Sequence, residues 1–570
     1  MEAATSAAEV ATDVEQDLAV EGETRTGAEE QVAAPATTST QAVSPTRRKV
    51  RKRRLQQAQQ AAPAPPPLSN SMADSLKMGA LGLVGLALVA ALVMAVKKFA
   101  NKQGPKIQQA MEGKQLQQEA TGRLNEMMAE LRNSASADLS AKNLGEEGCA
   151  YVVEALAFNS RCLAADFSKN GIGILGITQM CEVLKTNDTL QTLVLDTNSI
   201  GDEGMELIAK FMAVDTHIKT LALSSNNVGD TGAAALAEML KVNTTLTTLE
   251  LNGNVIDYAG ITALSEALTT NNALTSLSIS DNYIGGLGAA VLANALKKNT
   301  TLKELHIKGN DLGNEGVKAL CEAFNAREGR MTVLDVGNNS IGPDGAFALA
   351  DFVKQAKGLK ELNLYMNDIA DAGTYKLADA LKANSKLKAL DVGGNNIGPD
   401  GITALMAALK GNEALRTLEL GYNPIGDKGA KALAGVVKYD LQIETLKMGW
   451  CKVGPDHGAA AIADLLLFNN TLVTLDVRGN GFGDNGALHI AQAMKNHTND
   501  KLKELDLGYN EIKDDGACAV AQALKSNPER APKDLKINAN YLSKFGQVAL
   551  TEALDMVYEM SGGKEIVITF

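Results

Sequence analysis

One pattern of residues returns every 28–30 positions from Ala137 onwards, and it limits the possible folds of this chain more than any other feature. A typical copy reads LxLxxNxI, then a glycine, a second glycine three residues later, and a stretch rich in alanine and leucine. A period of this length indicates units that stack along one axis. Fifteen copies can be followed through the asparagine, which is replaced in two of them by Lys142 and Cys451: Asn170, Asn198, Asn226, Asn254, Asn282, Asn310, Asn339, Asn367, Asn395, Asn423, Asn480, Asn510 and Asn540.

The residues of one copy, 248–256 (TLELNGNVI), explain the pattern in physical terms. Leu249 and Leu251 alternate with polar residues, so they form a short strand whose leucine face points inward. The amide of Asn254 satisfies backbone groups of the following turn, which would otherwise be buried without partners. Alanines and leucines at helical spacing then form a helix behind the strand. Because one copy cannot bury its own leucines, the copies must stack.

These copies resemble the ribonuclease-inhibitor-like class of leucine-rich repeat, which is also found in NOD-like receptors, Ran GTPase-activating proteins and tropomodulins. The resemblance implies an α/β horseshoe solenoid of about 15 repeats over residues 136–570, with a parallel sheet on its concave face and helices outside. It is specific for the fold and says little about function. Residues 564–570 (KEIVITF) are expected to form a closing strand over the core of the last repeat.

The region before the repeats has a different composition. Residues 1–75 are rich in Ala, Thr, Glu, Gln and Pro without a hydrophobic period, so we expect a disordered tail. Its acidic beginning is typical neither of a secretory signal nor of an arginine-rich transit peptide. The basic run at 47–54 (RRKVRKRR) leaves two interpretations open: a solvated tract near an anionic membrane, or a nuclear localisation or nucleic-acid-binding signal.

A membrane anchor is predicted between this tail and the repeats. Residues 78–96 are nineteen uncharged residues, and at about 1.5 Å per residue a helix of that length just spans a hydrocarbon core of about 30 Å. Lysines on both sides favour one transmembrane helix over 76–98, although a buried core helix is the alternative. Residues 99–135 are polar and rich in Gln and Glu, and we expect a helical stalk or cap.

Two features favour a single-pass protein whose repeats face the cytosol. The nearest basic cluster follows the apolar segment, which places the C-terminal side in the cytosol. The six cysteines have no paired spacing, as expected for free core thiols in a reducing compartment. They are Cys149, Cys162, Cys181, Cys321, Cys451 and Cys518.

Charge and motifs argue against an enzyme or a nucleic-acid-binding protein. The formal net charge is −12, with the acidic excess in residues 136–570, so the repeats should repel nucleic acid and prefer a basic partner. Gly171, Gly173 and Gly176 imitate a dinucleotide-binding fingerprint, but the repeat pattern accounts for them. The five histidines share no metal-binding spacing, and no nucleophile lies near a base in any known motif. We therefore expect no catalysis, cofactor, metal or small-molecule substrate.

The candidate site is a protein-binding patch on the concave face. Residues between and after the two strand leucines should face solvent there, and in the first half of the array they are mostly small or neutral. In the second half, exposed aromatic residues framed by carboxylates indicate anchors for a basic partner. The alternative is that aspartate is a common residue of strand ends and that the aromatics cover apolar edges. The candidate residues are Trp450, Tyr422, Tyr365, Tyr509, Asp391, Glu419, Asp476 and Asp506, with Asp335 on the same face.

The leading functional hypothesis is therefore a membrane-anchored leucine-rich repeat scaffold or adaptor that binds another protein. A regulator of a small GTPase, similar to the Ran activators, is an alternative, although an acidic face disfavours it. An innate-immune-type sensor is a further alternative, which would require ligand-driven assembly.

Overall fold

The computed structural model describes residues 121–327 and 330–570. Within these residues, sixteen strands form one parallel sheet in which each strand pairs with its neighbours in sequence. The strands are β1 Ser136–Asp138, β2 Ala164–Asp166, β3 Thr192–Val194, β4 Thr220–Ala222, β5 Thr248–Glu250, β6 Ser276–Ser278, β7 Glu304–His306, β8 Val333–Asp335, β9 Glu361–Asn363, β10 Ala389–Asp391, β11 Thr417–Glu419, β12 Thr445–Lys447, β13 Thr474–Asp476, β14 Glu504–Asp506, β15 Asp534–Lys536 and β16 Val567–Thr569.

One α-helix follows each of the first fifteen strands, so each repeat consists of a strand, a turn and a helix. Short 3-10 helices, Glu154–Phe158 and Pro528–Arg530, extend two of the connections. The α-helices are α1 Gly145–Val153, α2 Ile174–Leu184, α3 Gly201–Met212, α4 Asp230–Val242, α5 Tyr258–Leu268, α6 Gly285–Leu296, α7 Gly313–Ala326, α8 Pro343–Gln355, α9 Ala370–Ala383, α10 Pro399–Leu409, α11 Gly426–Val437, α12 His457–Phe468, α13 Gly483–Asn496, α14 Asp514–Ser526 and α15 Lys544–Met560.

The core lies between the sheet and the helices, as the leucine pattern predicts. In repeat 11, Leu418 and Leu420 are fully buried, and so is Leu433 of α11. Thr417 and Glu419, which flank Leu418, are half-buried on the opposite, open face of the sheet. Successive strand residues point to opposite faces, so each strand places its middle residue, a leucine in thirteen of the sixteen, in the core and two side chains on the open face. The predicted parallel sheet with helices on one side is confirmed.

The asparagine of each copy forms a ladder of hydrogen bonds from repeat to repeat. The Nδ2 of Asn423 donates to the carbonyl oxygens of Val392 and Leu420 at 2.9 and 2.8 Å. Its Oδ1 accepts from the backbone N–H groups of Asn395 and Ile397, both at 2.9 Å. One buried amide thus satisfies four backbone groups in two repeats, which holds all the turns in the same conformation.

Both ends of the sheet carry additional elements. Residues 121–133 are helical and precede β1, and Leu131 of this segment is fully buried. At the other end, β16 pairs with β15 in parallel and its Ile568 is only 8% exposed. The closing strand predicted within residues 564–570 is therefore confirmed.

Several predictions concern residues that lie outside the described part of the chain. They are the tail 1–75 with its basic run 47–54, the transmembrane helix 76–98, and the first part of the stalk or cap predicted at 99–135. Over residues 121–327 and 330–570, none of the helices combines the length and hydropathy that a membrane span requires.

Candidate protein-binding site

The residue before each asparagine position has a left-handed backbone conformation in all fifteen repeats described. Its φ is 61° at Tyr422, 60° at Trp450 and 55° at Tyr509. Glycine adopts this region without strain, whereas other residues lose roughly 1 kcal/mol or more there. Three large aromatic side chains therefore occupy a position where the backbone favours the smallest residue. Four repeats do have glycine at this position: Gly253, Gly309, Gly394 and Gly479.

The three aromatic side chains form a row along the turns. The ring centroids of Tyr422 and Trp450 are 6.3 Å apart with 13° between the ring planes, the arrangement that parallel stacking predicts for equivalent positions one repeat apart. Trp450 and Tyr509 lie 5.5 Å apart at 49°, across the intervening Gly479. The side chains of Tyr422, Trp450 and Tyr509 are 52%, 39% and 48% exposed, so much of this apolar area faces solvent.

Met366 extends this row on the side of Tyr422. It occupies the same turn position two repeats earlier and is 49% exposed. A Cβ atom on Gly394, in the repeat between them, would lie 2.5 Å from the Met366 Sδ, so the thioether covers that glycine. We call Met366, Tyr422, Trp450 and Tyr509 the apolar ladder. Met366 is not among the residues predicted from the sequence, although a large residue followed one repeat later by glycine is a signal for such a position.

Tyr365 lies beside the apolar ladder, in the neighbouring position of the turn. Its ring is half-buried, with the ammonium of Lys308 5.5 Å from the ring centroid. A Cβ atom on Gly393, one repeat later, would be 3.0 Å from the Tyr365 Cδ2. Burial raises the pKa of the Tyr365 hydroxyl, and Tyr422 and Asp391 add to the effect. The structure therefore brings four of the predicted residues, Tyr365, Tyr422, Asp391 and Trp450, to one region of the open face.

The carboxylates on this face have a structural role at the end of each strand. The Oδ1 of Asp391 accepts from the Gly393 N–H at 2.9 Å, and Asp506 does the same for Gly508. Such bonds from an Asp side chain to the backbone two residues later stabilise turns. The alternative weighed from the sequence, that aspartate is a common residue of strand ends, is therefore part of the explanation for these positions.

Two of the predicted binding carboxylates do not face solvent as expected. Asp476 is 7% and Asp506 is 6% exposed. The Asp476 Oδ1 accepts from the Arg478 N–H at 3.1 Å, and its Oδ2 lies 3.2 Å from the Arg478 Nε. The expectation that Asp476 and Asp506 are free to meet a partner is wrong, because their oxygens are directed into their own turns.

Neighbouring cations also offset part of the acidic charge in this region. The Lys447 Nζ donates to the Glu419 Oε1 at 2.7 Å, across strands β11 and β12. The His306 Nδ1 lies 4.0 Å from the Asp335 Oδ2. Asp391 stands between these pairs, is half-buried, and has no ion pair among the described residues. Desolvation raises its pKa to about 6, although the Gly393 N–H favours the ionised form.

Carboxylates are not confined to the second half of the array, contrary to the sequence-based expectation. Asp138, Asp166 and Glu250 occupy the same strand position in repeats 1, 2 and 5 that Asp391 occupies in repeat 10. The large side chains of the turns, rather than negative charge, therefore distinguish the second half.

No group of three or more His, Cys, Asp or Glu side chains within residues 121–327 and 330–570 could hold a metal ion. Five of the six cysteines are buried and Cys518 is half-buried. Burial raises the pKa of the Cys451 thiol to about 12, which makes it a poor nucleophile at neutral pH.

Ten segments of the sequence match the family described as Leucine Rich repeat. They cover residues 186–209, 214–237, 242–265, 270–293, 298–321, 331–350, 383–406, 411–434, 468–491 and 498–521. Together with the strand, turn and helix of each unit, these matches define the class of the molecule. The described part of this chain is a solenoid of leucine-rich repeats, the kind of fold that typically serves as a scaffold for interactions between proteins.

Two solved structures illustrate the similarity. The chain is similar to the structure titled leiomodin-1 actin-binding site 2, with 36% identity and a TM-score of 0.18, over 19% of this chain and 62% of that one. It thus spans less than two thirds of the length of that structure. It is also similar to a structure of the yeast Rad7–Elc1 complex, with 14% identity and a TM-score of 0.40, over 66% of this chain and 94% of that one. No curated protein matches the sequence.

Proposed function

We propose that this protein is a scaffold or adaptor that binds another protein through the apolar ladder. The observation that carries the proposal is the row of Tyr422, Trp450 and Tyr509, each about half exposed and each in a left-handed conformation. Solvent-exposed aromatic side chains at a strained backbone position add little to the stability of a monomer. At a protein interface such side chains are buried and often make the strongest contacts. Apart from Lys169 and Met366, the other repeats described have glycine or a small or short polar residue at the same position.

The partner is proposed to present a basic surface to the repeats. The chain has a net charge of −12, and Asp391 beside the ladder has no ion pair among the described residues. Complementary charge speeds association and selects among partners more than it adds affinity.

The repeat class and the membrane anchor remain proposals that rest on the sequence. The 28-residue spacing between most neighbouring strands and the full helix in each repeat support the ribonuclease-inhibitor-like class.

The apolar segment 78–96 with its lysine flanks supports a single-pass anchor that leaves the repeats in the cytosol. The anchored protein is expected to resist extraction with alkaline carbonate, and deleting 76–98 should release it. If the deletion variant stays in the membrane fraction, the single-anchor proposal is wrong.

The proposed binding surface can be tested by photocross-linking in cells. A photoreactive phenylalanine analogue replaces Tyr422 in one variant of the full chain and Tyr375 in another. Tyr375 is the matched control, because it is 44% exposed and lies within α9, on the helical side of the array. We expect a discrete cross-linked protein from position 422 that is absent from position 375. Equal patterns from both positions would contradict the proposal.

A further inference from the structure

A shallow groove lies beside the apolar ladder, with Gly421 as its floor and Gly393 and Gly449 on either side. Gly393, Gly421 and Gly449 occupy the same turn position in repeats 10, 11 and 12. None of the three has a positive φ, so the backbone conformation itself does not require glycine there. Repeats 8 and 14 also have glycine at this position, Gly337 and Gly508, whereas repeats 9 and 13 have Tyr365 and Arg478. Gly393 and Gly449 are buried under neighbouring side chains, so the accessible main chain lies at Gly421, which is half-buried.

Larger side chains bound this groove at both ends and along one side. Tyr365 covers Gly393 at one end, and the Arg478 Cγ lies 3.0 Å from the position of a Cβ on Gly449 at the other. Tyr422 and Trp450, in the next turn position, form the wall on the ladder side. A floor of main chain with an aromatic wall fits an extended peptide, which presents its own main chain and alternating side chains.

A depression of about 200 Å³ opens on the other side of the groove, on the open face of strands β7 to β11. His306, Asp335, Asn363, Asp391 and Glu419 contribute to its lining. Asp335 lies near His306, and Glu419 is bonded to Lys447. Asp391, between them, forms no ion pair within the described residues, although the Lys447 ammonium lies near enough to favour its charge, and Glu361, also unpaired, is exposed.

The negative charge of Asp391 is not needed for the turn that it stabilises. Asn363 occupies the same strand position one repeat earlier, and its Oδ1 accepts from the Tyr365 N–H at 2.8 Å. This is the same bond that the Asp391 Oδ1 makes to Gly393 at 2.9 Å. An asparagine would thus perform the local role without the cost of burying an ionised group. A half-buried charge that the fold does not require indicates a ligand of opposite charge.

We propose that the groove binds an extended segment of the partner protein, with one arginine or lysine side chain of that segment seated in the depression against Asp391. An apolar residue of the same segment packs on Tyr422 and Trp450. Charge complementarity at Asp391 selects this occupant, and the glycine floor selects a linear segment rather than a folded surface. The inference rests on the proposed protein-binding function and specifies the chemistry of the partner.

The test selects binders from a displayed library of random linear peptides on the full-length protein. Three targets are compared: the natural protein, Asp391→Asn, and Asp166→Asn. Asp166 is the matched control, because it occupies the same strand position in repeat 2 and its Oδ1 accepts from the Ser168 N–H at 2.8 Å. The natural protein and Asp166→Asn should both enrich peptides that combine an arginine or lysine with an apolar residue. Asp391→Asn should retain the apolar preference and lose the cationic one.

Affinities of one selected peptide then complete the test. Asp391→Asn should weaken binding about tenfold, and so should replacing the cationic residue of the peptide with glutamine. Because both changes remove the same contact, combining them should cause no further loss. The inference is overturned if Asp391→Asn still enriches cationic peptides. It is also overturned if Asp391→Asn and the glutamine substitution in the peptide weaken binding additively. If no linear peptide is enriched while Tyr422 still cross-links a cellular protein, the groove inference fails and the proposed function stands.

Discussion

The indole of Trp450 lies directly over Gly479, the residue at the same turn position one repeat later. A Cβ atom on Gly479 would come within 2.6 Å of the Trp450 Cε2. The absence of a side chain at 479 lets the indole reach Tyr509, whose ring centroid is 5.5 Å from that of Trp450. The apolar ladder therefore depends on a glycine as much as on its aromatic residues.

Replacing Gly479 with alanine should displace the indole and weaken partner binding. The matched control is Gly481→Ala, because Gly479 and Gly481 have φ values of 66° and 65° but a Cβ on Gly481 would meet nothing within 4 Å. Both substitutions introduce a backbone strain of roughly 1 kcal/mol. Since Trp450 is the single tryptophan of the chain, its fluorescence reports on the ladder directly. We expect an altered emission spectrum for Gly479→Ala alone, and identical spectra for the two variants would contradict this packing.

Cys451 interrupts the asparagine ladder, and Cys451→Asn should restore it. The Cys451 Sγ lies 3.4 Å from the Leu420 carbonyl oxygen, where other repeats place an amide Nδ2. An asparagine would also offer an Oδ1 to the backbone N–H of Asn423, whereas the Ile425 N–H already donates to the Asn423 carbonyl oxygen at 2.8 Å. Net gains of about 1 kcal/mol per hydrogen bond predict a total stabilisation of about 1–2 kcal/mol after repacking. The urea midpoint should rise for Cys451→Asn and not for the control Cys451→Ala. A lower midpoint for the asparagine variant would show that the site cannot hold the amide.

The pH dependence of stability should change when Asp391 is replaced by asparagine. Burial raises the pKa of Asp391 from 3.8 to about 6, so the folded state binds this proton more tightly than the unfolded chain. This group therefore lowers the stability of the folded state as the pH rises between these two values. Asp391→Asn should be more stable than the natural protein by about 1–2 kcal/mol above pH 6, after allowance for solvent screening.

The gain from Asp391→Asn should disappear as the pH falls below 3.8, where the natural carboxyl is protonated in both states. Urea unfolding of both proteins at neutral and acidic pH measures this difference. A difference in stability that is the same at both pH values would show that ionisation of Asp391 is not its cause.

The fold could be predicted because the same physical requirement recurs in every repeat. Leu418 must be buried, and the Asn423 amide must bond to the backbone of the preceding repeat, so their spacing recurs along the chain and fixes the register. That register also predicted the contact between Tyr422 and Trp450, which lie one period apart in neighbouring strands of a parallel sheet.

The details of the site could be predicted only in part, because they depend on contacts between repeats. The strand pattern places Asp476 on the open face, but it does not show that Arg478 folds back over its carboxylate. Met366 was not predicted as part of the site, because it covers a glycine of the next repeat and does not contact a neighbouring aromatic ring. That Asp391 forms no ion pair among the described residues became evident only once the cations near Asp335 and Glu419 were located.

Trp450→Ala tests the central claim, that the apolar ladder is a binding surface and not packing. The measurement compares two quantities on the full-length protein: its affinity for the protein cross-linked at position 422, and its melting temperature. Tyr375→Ala serves as the control, because it removes a similarly exposed aromatic side chain from the helical side. If the ladder is a binding surface, Trp450→Ala should lose about 2 kcal/mol in binding free energy, with a melting temperature close to that of the control. A melting temperature far below that of the control, with a loss of affinity that the unfolded fraction explains, would contradict the claim. An unchanged affinity would contradict it too.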